Sequence, residues 1–214
     1  MSEKQLKFSL KQAVGYGIGQ FSDTISLQLF NMYVFTFYFA VVGIDVNLIT
    51  FVFIIWSIWN AINDPLLGAL SDRTKTRFGR RKPYIIAAIG PLCLIIILLF
   101  TPPVNSNTNS FIYMLIMVIL FDITYTAFDL NYASLFPEMF LNLQDRAKSN
   151  AIKQIFTVIG LIFASIIPTL FIPKLDDPLY LSNYALAAVI MVVIIAIGAI
   201  LLIFFGIKER IEFS

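Results

Sequence analysis

Six long apolar stretches constrain the fold of this chain more than any other feature of its sequence. A helix needs about 20 mainly apolar residues to cross the roughly 30 Å hydrocarbon core of a bilayer. Six stretches meet this length, at residues 13–41, 47–71, 83–102, 110–137, 151–172 and 183–206. Only 13% of the 214 residues are charged, roughly half the share that is typical of soluble domains. The sequence therefore predicts an all-α membrane protein, with residues 1–214 forming one bundle of six transmembrane helices.

The basic residues fall on alternate sides of these spans. Thirteen of the 15 Lys and Arg residues lie before the first span or after the second, fourth and sixth spans: Lys4, Lys7, Lys11, Arg73, Lys75, Arg77, Arg80, Arg81, Lys82, Arg146, Lys148, Lys208 and Arg210. The loops on the other side contain only Lys174. Because positively charged loops stay in the cytoplasm, we expect a multi-pass protein of the cell membrane with both termini cytoplasmic.

Several classes of function are disfavoured by what the sequence lacks. The chain contains no His and one Cys, Cys93, so it lacks the commonest general base and cannot form an internal disulfide. Asn60 and Asp64 begin the NxxxDxxxD pattern of intramembrane prenyltransferases, but Gly68 stands where the next acid is needed. The YD and GxGD motifs of intramembrane aspartyl proteases are absent. We expect a protein that is not an enzyme, with no cofactor and no nucleic-acid partner.

Ionisable residues inside the spans are the strongest functional signal. They are Asp23, Asp64, Asp122, Asp129 and Lys153. Such residues are costly within a bilayer and normally face a cavity or one another. The helical repeat places Asn60 on the same face as Asp64, and Asp122, Thr126 and Asp129 on one face of the fourth helix. The sequence therefore predicts a polar cavity between helices.

The chemistry of this set suits a small cation and a polyhydroxylated substrate. Carboxylate, amide and hydroxyl oxygens can bind Na⁺ or exchange a proton, and carboxylates accept hydrogen bonds from sugar hydroxyls. Some of the acids could instead pair with Lys153 for purely structural reasons. We expect Asp122, which is placed nearer a helix end than Asp129, to be hydrated.

Four segments carry a resemblance to a known family. They are GYGIGQFSD (15–23), WNAINDPLLGALSDRTKTRFGRRKPYI (59–85), TYTAFDLNYASLFPEM (124–139) and DRAKSNAIKQIF (145–156). Nearly the whole chain resembles the N-terminal six-helix half of the galactoside–pentoside–hexuronide:cation symporters, the melibiose-permease branch of the major facilitator superfamily. The resemblance implies one bundle of a major facilitator fold and cation-coupled transport of a sugar or glycoside.

The resemblance also implies roles for individual residues. The implied substrate-binding residues are Asp23, Asp129, Lys153 and Tyr125. The implied cation-binding residues are Asn60, Asn63, Asp64 and Thr126. Four positions depart from the family pattern. Lys153 stands where the family has a functional Arg. Asn60 stands where the melibiose permease has a second acid, so Na⁺ coupling, proton coupling and uniport all stay open. Thr24 aligns with the family's sugar-binding acid beside Asp23, and Ala133 replaces a tryptophan that stacks on the sugar.

The basic loop after the second span resembles the superfamily signature between the second and third helices. Gly68 is expected to allow close helix packing. The resemblance implies that Asp72, with Arg73 and Arg77, forms a charge-relay latch that gates the cytoplasmic face, with Asp72 meeting the second bundle. The same Arg and Lys residues also fix the topology.

Members of this family have about twelve helices in two bundles, with the substrate between them. We therefore expect as partners the membrane lipid, a sugar or glycoside, and either a second six-helix half or a second copy of this chain. Three explanations of the missing bundle stay open: a fragment of a longer reading frame, a half-transporter paired with a second polypeptide, or a homodimer. A non-transporting remnant or assembly subunit is the first alternative. A uniporter or a lysolipid carrier of the same superfamily is the second.

Overall fold

In the computed structural model, which describes residues 9–104 and 106–207, six long helices account for most of the chain. They are α1 (Leu10–Thr36), α2 (Val46–Arg73), α3 (Lys82–Leu99), α4 (Asn107–Met139), α5 (Leu143–Phe171) and α6 (Leu181–Leu201). Helices α1 and α6 continue into the π-helical turns Phe37–Val41 and Leu202–Gly206. All six are long and apolar enough to cross a membrane. The prediction of an all-α membrane protein with six transmembrane helices is confirmed. Of the terminal basic residues, Lys4, Lys7, Lys208 and Arg210 lie outside the described residues.

The start of α5 differs from the sequence prediction. The helix begins at Leu143 rather than near residue 151, so Arg146 and Lys148 belong to its first turns and not to a loop. The side chain of Asn142 caps this end by accepting a hydrogen bond from the backbone N–H of Gln144 at 3.0 Å. Asp145 in the first turn also suits the positive end of the helix dipole. A hydropathy pattern detects only the part of a helix that lies in the bilayer, which explains the difference.

The helices pack as two groups of three. Helix α1 packs mainly against α5 and α6, whereas α4 packs mainly against α2 and α3. The first group contains a close backbone contact. A Cβ atom added to Gly15 of α1 would lie 2.7 Å from the carbonyl carbon of Phe205, in the turn that follows α6. Only glycine fits at this distance, as is common where small residues bring membrane helices together.

Two tyrosines join the two groups. The hydroxyl of Tyr16 on α1 donates a hydrogen bond to the backbone carbonyl of Tyr132 on α4 at 2.7 Å. The hydroxyl of Tyr132 donates to the carbonyl of Tyr16 in return, also at 2.7 Å. The two rings stack with their centroids 4.3 Å apart. Both side chains are fully buried, so this reciprocal pair satisfies hydroxyls that would otherwise be costly in an apolar interior.

Candidate functional site

A cavity of about 500 Å³ lies between α1, α2 and α4. It combines three carboxylates, one amide and three hydroxyls with a largely aromatic wall. Its lining residues are Leu27, Phe30, Trp56, Asn60, Asp64, Phe121, Asp122, Tyr125, Thr126, Asp129, Leu130, Ala133 and Ser134. Asn60 and Asp64 of α2 therefore share one cavity with the polar stripe of α4, whereas the predicted ligand Asn63 is buried and does not line it.

Asp64 and Thr126 form a direct contact across the cavity. The Thr126 hydroxyl on α4 donates a hydrogen bond to Oδ1 of Asp64 on α2 at 3.1 Å. Asp64 is exposed, although it lies within an apolar transmembrane helix. Its second carboxylate oxygen and the Thr126 hydroxyl oxygen are hard ligands that suit a small cation.

Asp122 is the most strongly hydrogen-bonded acid of the cavity, and the expectation that it is hydrated is wrong. It lies close to the midpoint of α4, not near an end, and its exposed fraction is 3%. Its Oδ1 accepts hydrogen bonds from Trp56 Nε1 at 2.9 Å and Asn60 Nδ2 at 2.9 Å. Its Oδ2 accepts from Asn63 Nδ2 at 2.8 Å. Three donors from α2 thus converge on one carboxylate of α4.

This network determines where the two predicted amide ligands point. Asn60 and Asn63 direct their amide nitrogens at Asp122, so their amide oxygens take no part in these hydrogen bonds. Among the described residues no three His, Cys, Asp or Glu side chains cluster closely enough to hold a metal ion. The sequence signal for Asp122 is the spacing of Trp56, Asn60 and Asn63, which repeat at intervals of four and three along one face of α2.

The predicted substrate residues divide between the cavity and its margin. Tyr125 and Asp129 line the cavity, whereas Asp23 and Lys153 do not. Asp23 is buried on α1, where Gln20 Nε2 donates to its Oδ2 at 3.0 Å. It interacts electrostatically with Asp129 and lies close to Tyr125. The other oxygen of Asp23 has no hydrogen-bond partner within the described part of the chain.

The ammonium group of Lys153 lies over two aromatic rings. Its ammonium nitrogen lies 5.8 Å from the ring centroid of Tyr132 and 5.8 Å from that of Phe136. No carboxylate of residues 9–104 or 106–207 comes within 4.0 Å of it. Its positive charge still attracts Asp23 and Asp129 at longer range. Contacts with ring faces of this kind hold a cation without neutralising it.

The aromatic wall was not predicted from the sequence. The rings of Phe30 and Phe121 stack in parallel with centroids 4.6 Å apart. Trp56 lies 5.3 Å from Phe30, and Tyr125 stacks 5.5 Å from Phe121. These rings come from three helices, so no local pattern along the chain identifies them. They give the cavity flat apolar surfaces at the level of its carboxylates.

The predicted gate residues are not paired with one another. The Asp72 carboxylate lies 2.6 Å from Arg81 Nη2 rather than beside Arg73 or Arg77. Because successive residues of a helix point about 100° apart, Arg73 cannot face its neighbour Asp72. The Arg77 guanidinium lies over the ring of Phe78, 4.7 Å from its centroid. The loop instead returns Arg81 to Asp72 through Gly79, whose φ of 96° favours glycine.

Arg80 and Arg81 extend these contacts to the end of α4. Arg80 Nη2 lies 2.7 Å from Glu138 Oε1. Arg81 Nη1 donates to the Ser71 hydroxyl at 2.9 Å, and Arg81 Nε lies 3.8 Å from Glu138 Oε1. Charged side chains therefore connect the ends of α2, α3 and α4. Gly68 makes no close contact with any residue that the structure describes, since an added Cβ would meet only Leu130, at 3.9 Å.

Comparison with known proteins places this chain in a transport family. The model of the family described as MFS/sugar transport protein matches residues 15–214. An uncharacterized symporter of Synechocystis sp. is 34% identical over 183 residues, which cover 83% of this chain and 33% of that protein. An uncharacterized symporter of Bacillus subtilis is 31% identical over 79% of this chain and 37% of its own length. The isoprimeverose transporter of Lactiplantibacillus pentosus is 27% identical over 92% of this chain and 41% of its own length. The chain thus spans well under half the length of these relatives.

Proposed function

This chain belongs to the MFS/sugar transport protein family, and on that premise we propose that it is one half of a secondary transporter. It carries a sugar or glycoside across the membrane together with Na⁺ or a proton. The observation that supports this most directly is the cavity, in which carboxylates from two helices face a set of aromatic rings. Residues 1–214 then form the N-terminal six-helix unit of a twelve-helix transporter.

The cavity suits a sugar on two grounds. Asp129 and Tyr125 offer hydrogen-bonding groups for hydroxyls, and the faces of Phe30 and Trp56 offer apolar surfaces for the ring carbons of a sugar. Asp23 and Lys153 complete the substrate site from its margin. One relative is named an isoprimeverose transporter, which supports a glycoside as the class of substrate.

The cation site is centred on Asp64 and Thr126. Their contact brings a carboxylate and a hydroxyl from two helices together within the membrane. The amide oxygens of Asn60 and Asn63 complete a set of hard oxygen ligands. Binding of Na⁺ or a proton offsets the charge of Asp64, which couples occupancy of this site to the substrate carboxylates nearby.

A second six-helix unit covers the exposed side of α2. Leaving a carboxylate such as Asp64 against lipid costs roughly 2.5–3.5 kcal/mol on insertion scales. The same helix also exposes Ile58, Ile62 and Leu66, so a large apolar surface surrounds the acid. The partner is a second half or a second copy of this chain. The basic end of the bundle, with both termini, faces the cytoplasm by the positive-inside rule.

Uniport is the second candidate, and one observation favours it. Helix α2 carries a single acid in the cavity, because position 60 is an asparagine whose side chain bonds to Asp122. A uniporter moves its substrate equally well with or without an ion gradient. Gradient dependence therefore separates the two candidates.

Uptake into vesicles tests the proposal. The chain is expressed alone and with a second six-helix chain of the same family. Uptake of labelled isoprimeverose and related glycosides is then measured under a Na⁺ gradient, a pH gradient or neither. We expect uptake that is accelerated by one gradient, and loss of that acceleration in Asp64→Asn. The loop variant Asp176→Asn is the matched control and should behave as the unmodified chain does. Absence of any glycoside uptake by the assembled pair would refute sugar transport, and gradient-independent uptake would favour uniport.

A further inference from the structure

We infer that Asp122 supplies a fixed negative charge that sets the cation affinity of the Asp64–Thr126 site without itself binding the cation. This inference rests on the proposed cation site. It assigns to Asp122 a positioning and electrostatic role that neither the sequence pattern nor the comparisons indicate.

The hydrogen bonds of Asp122 show why it does not act as a direct ligand. Both of its carboxylate oxygens are engaged, by Trp56 and Asn60 on one oxygen and by Asn63 on the other. Asn63 also donates to the backbone carbonyl of Asp122 at 3.3 Å. Every partner is an N–H donor, which matches a carboxylate because a carboxylate only accepts. A cation that bound Asp122 directly would have to displace these donors.

The charge of Asp122 is not neutralised by an ion pair. No Arg or Lys side chain lies within 4.0 Å of it in the described part of the chain, and its three donors are neutral groups. The carboxylate is therefore matched by hydrogen bonds from neutral donors and not by a cation. In a buried setting such a charge acts over a longer distance than it would in water.

The position of Asp122 directs this charge at the cation site. Asp122 and Thr126 are four residues apart on α4, so they lie about one helical turn of 5.4 Å apart on the same face. The Thr126 hydroxyl contacts Asp64, and all three residues line the same cavity. The site therefore faces one carboxylate on α2 that can bind the cation and two carboxylates on α4, Asp122 and Asp129, that attract it.

The three donors also give Asp122 a second effect on the same site. Asn60 and Asn63 are held with their nitrogens toward α4, so their amide oxygens are oriented away from Asp122. Charge and orientation therefore need to be separated by experiment. An exchange of Asp122 and Asn60 does this, because it moves the carboxylate to the other side of the same hydrogen bond.

The test uses Na⁺ alone and the intrinsic fluorescence of the purified full chain. The chain has two tryptophans, and Trp59→Phe leaves Trp56, which contacts Asp122, as the only reporter. Emission is followed while NaCl replaces choline chloride at constant ionic strength. The Trp59→Phe chain is the background for every comparison. The variants made in it are Asp122→Asn, Asp64→Asn, the double variant Asn60→Asp with Asp122→Asn, and Asp176→Asn as the control.

We expect Asp122→Asn to weaken Na⁺ binding at least tenfold, or about 1.4 kcal/mol. The exchange variant should restore the affinity to within about threefold, and Asp176→Asn should leave it unchanged. Unaltered affinity in Asp122→Asn overturns the inference. An exchange variant that keeps its helical circular dichroism but binds as weakly as Asp122→Asn also overturns it, because orientation and not charge would then matter. If the background chain shows no response to Na⁺ at all, the sodium site itself is refuted, and the inference with it.

Discussion

Replacing Gly15 with alanine places a methyl group against the backbone of the turn that follows α6. The added Cβ would lie 2.7 Å from both the carbonyl carbon and the carbonyl oxygen of Phe205, and 2.8 Å from the nitrogen of Gly206. Backbone atoms cannot rotate away as a side chain does, so the helices must separate. Overpacking of this kind costs about 1–3 kcal/mol, and the rigid contact places the substitution in the upper part of that range.

Alanine also stabilises the helix itself, and this gain must be subtracted from the cost of overpacking. It is a better helix former than glycine by about 1 kcal/mol. The net loss expected for Gly15→Ala is therefore about 1–2 kcal/mol, or roughly 2–8 °C in the unfolding midpoint of a domain of this size. Gly90 in α3 is the matched control, since an added Cβ there meets nothing within 4 Å. Gly90→Ala should leave the midpoint unchanged or raise it.

The assay uses the single cysteine of the chain. Cys93 is partly buried in α3, so a thiol-reactive dye reports its exposure as the detergent-solubilised protein is heated. A Gly15→Ala midpoint equal to that of the unmodified chain would refute the close contact between α1 and the turn after α6. An equal change in Gly15→Ala and Gly90→Ala would show that helix propensity alone is being measured.

Three further substitutions test contacts of the site and its supports. Tyr132→Phe should lower the free energy of unfolding by about 0.6–1.7 kcal/mol, from the average to the largest value for hydrogen bonds between membrane helices. A double-mutant cycle with Tyr16→Phe should show coupling, and additive effects would argue against a reciprocal pair. Arg81→Gln should lower the unfolding midpoint by the equivalent of about 1–3 kcal/mol, between the values for surface and buried ion pairs. Arg73→Gln should change the midpoint little. Equal effects of the two substitutions would contradict the pairing of Arg81 with Asp72. In the uptake assay Asp64→Asn should remove the dependence on an ion gradient while substrate binding persists, and retained coupling would exclude this residue as the cation ligand.

The sequence was sufficient to predict the membrane helices, because the length of an apolar stretch is tied directly to the thickness of the bilayer. It failed at the start of α5, where the helix continues into polar surroundings and hydropathy gives no signal. There the capping side chain of Asn142 and the acid of Asp145 determine the first turn. Capping chemistry, and not hydropathy, would have located this boundary.

Within the site, the features that depend on the spacing of residues along one helix were predictable. The stripe of Asp122, Thr126 and Asp129 lies on one face, and Thr126 does meet Asp64. The relative rotation of α2 and α4 was not predictable from either helix alone, and it is this rotation that directs Asn60 toward Asp122. The partner of Asp72 likewise depends on the path of a loop through Gly79, which the helical repeat does not describe.

The division of the bundle into two groups of three helices has a mechanical consequence for the site. Asp64, Thr126 and Asp122 all belong to the group that contains α2 and α4, where hydrogen bonds connect the two helices. Asp23 belongs to α1 in the other group and meets Asp129 only across the boundary between the groups. The reciprocal hydrogen bonds of Tyr16 and Tyr132 hold the two groups together at this boundary. Loss of that pair is therefore expected to change the spacing of Asp23 and Asp129 more than the geometry at the cation end.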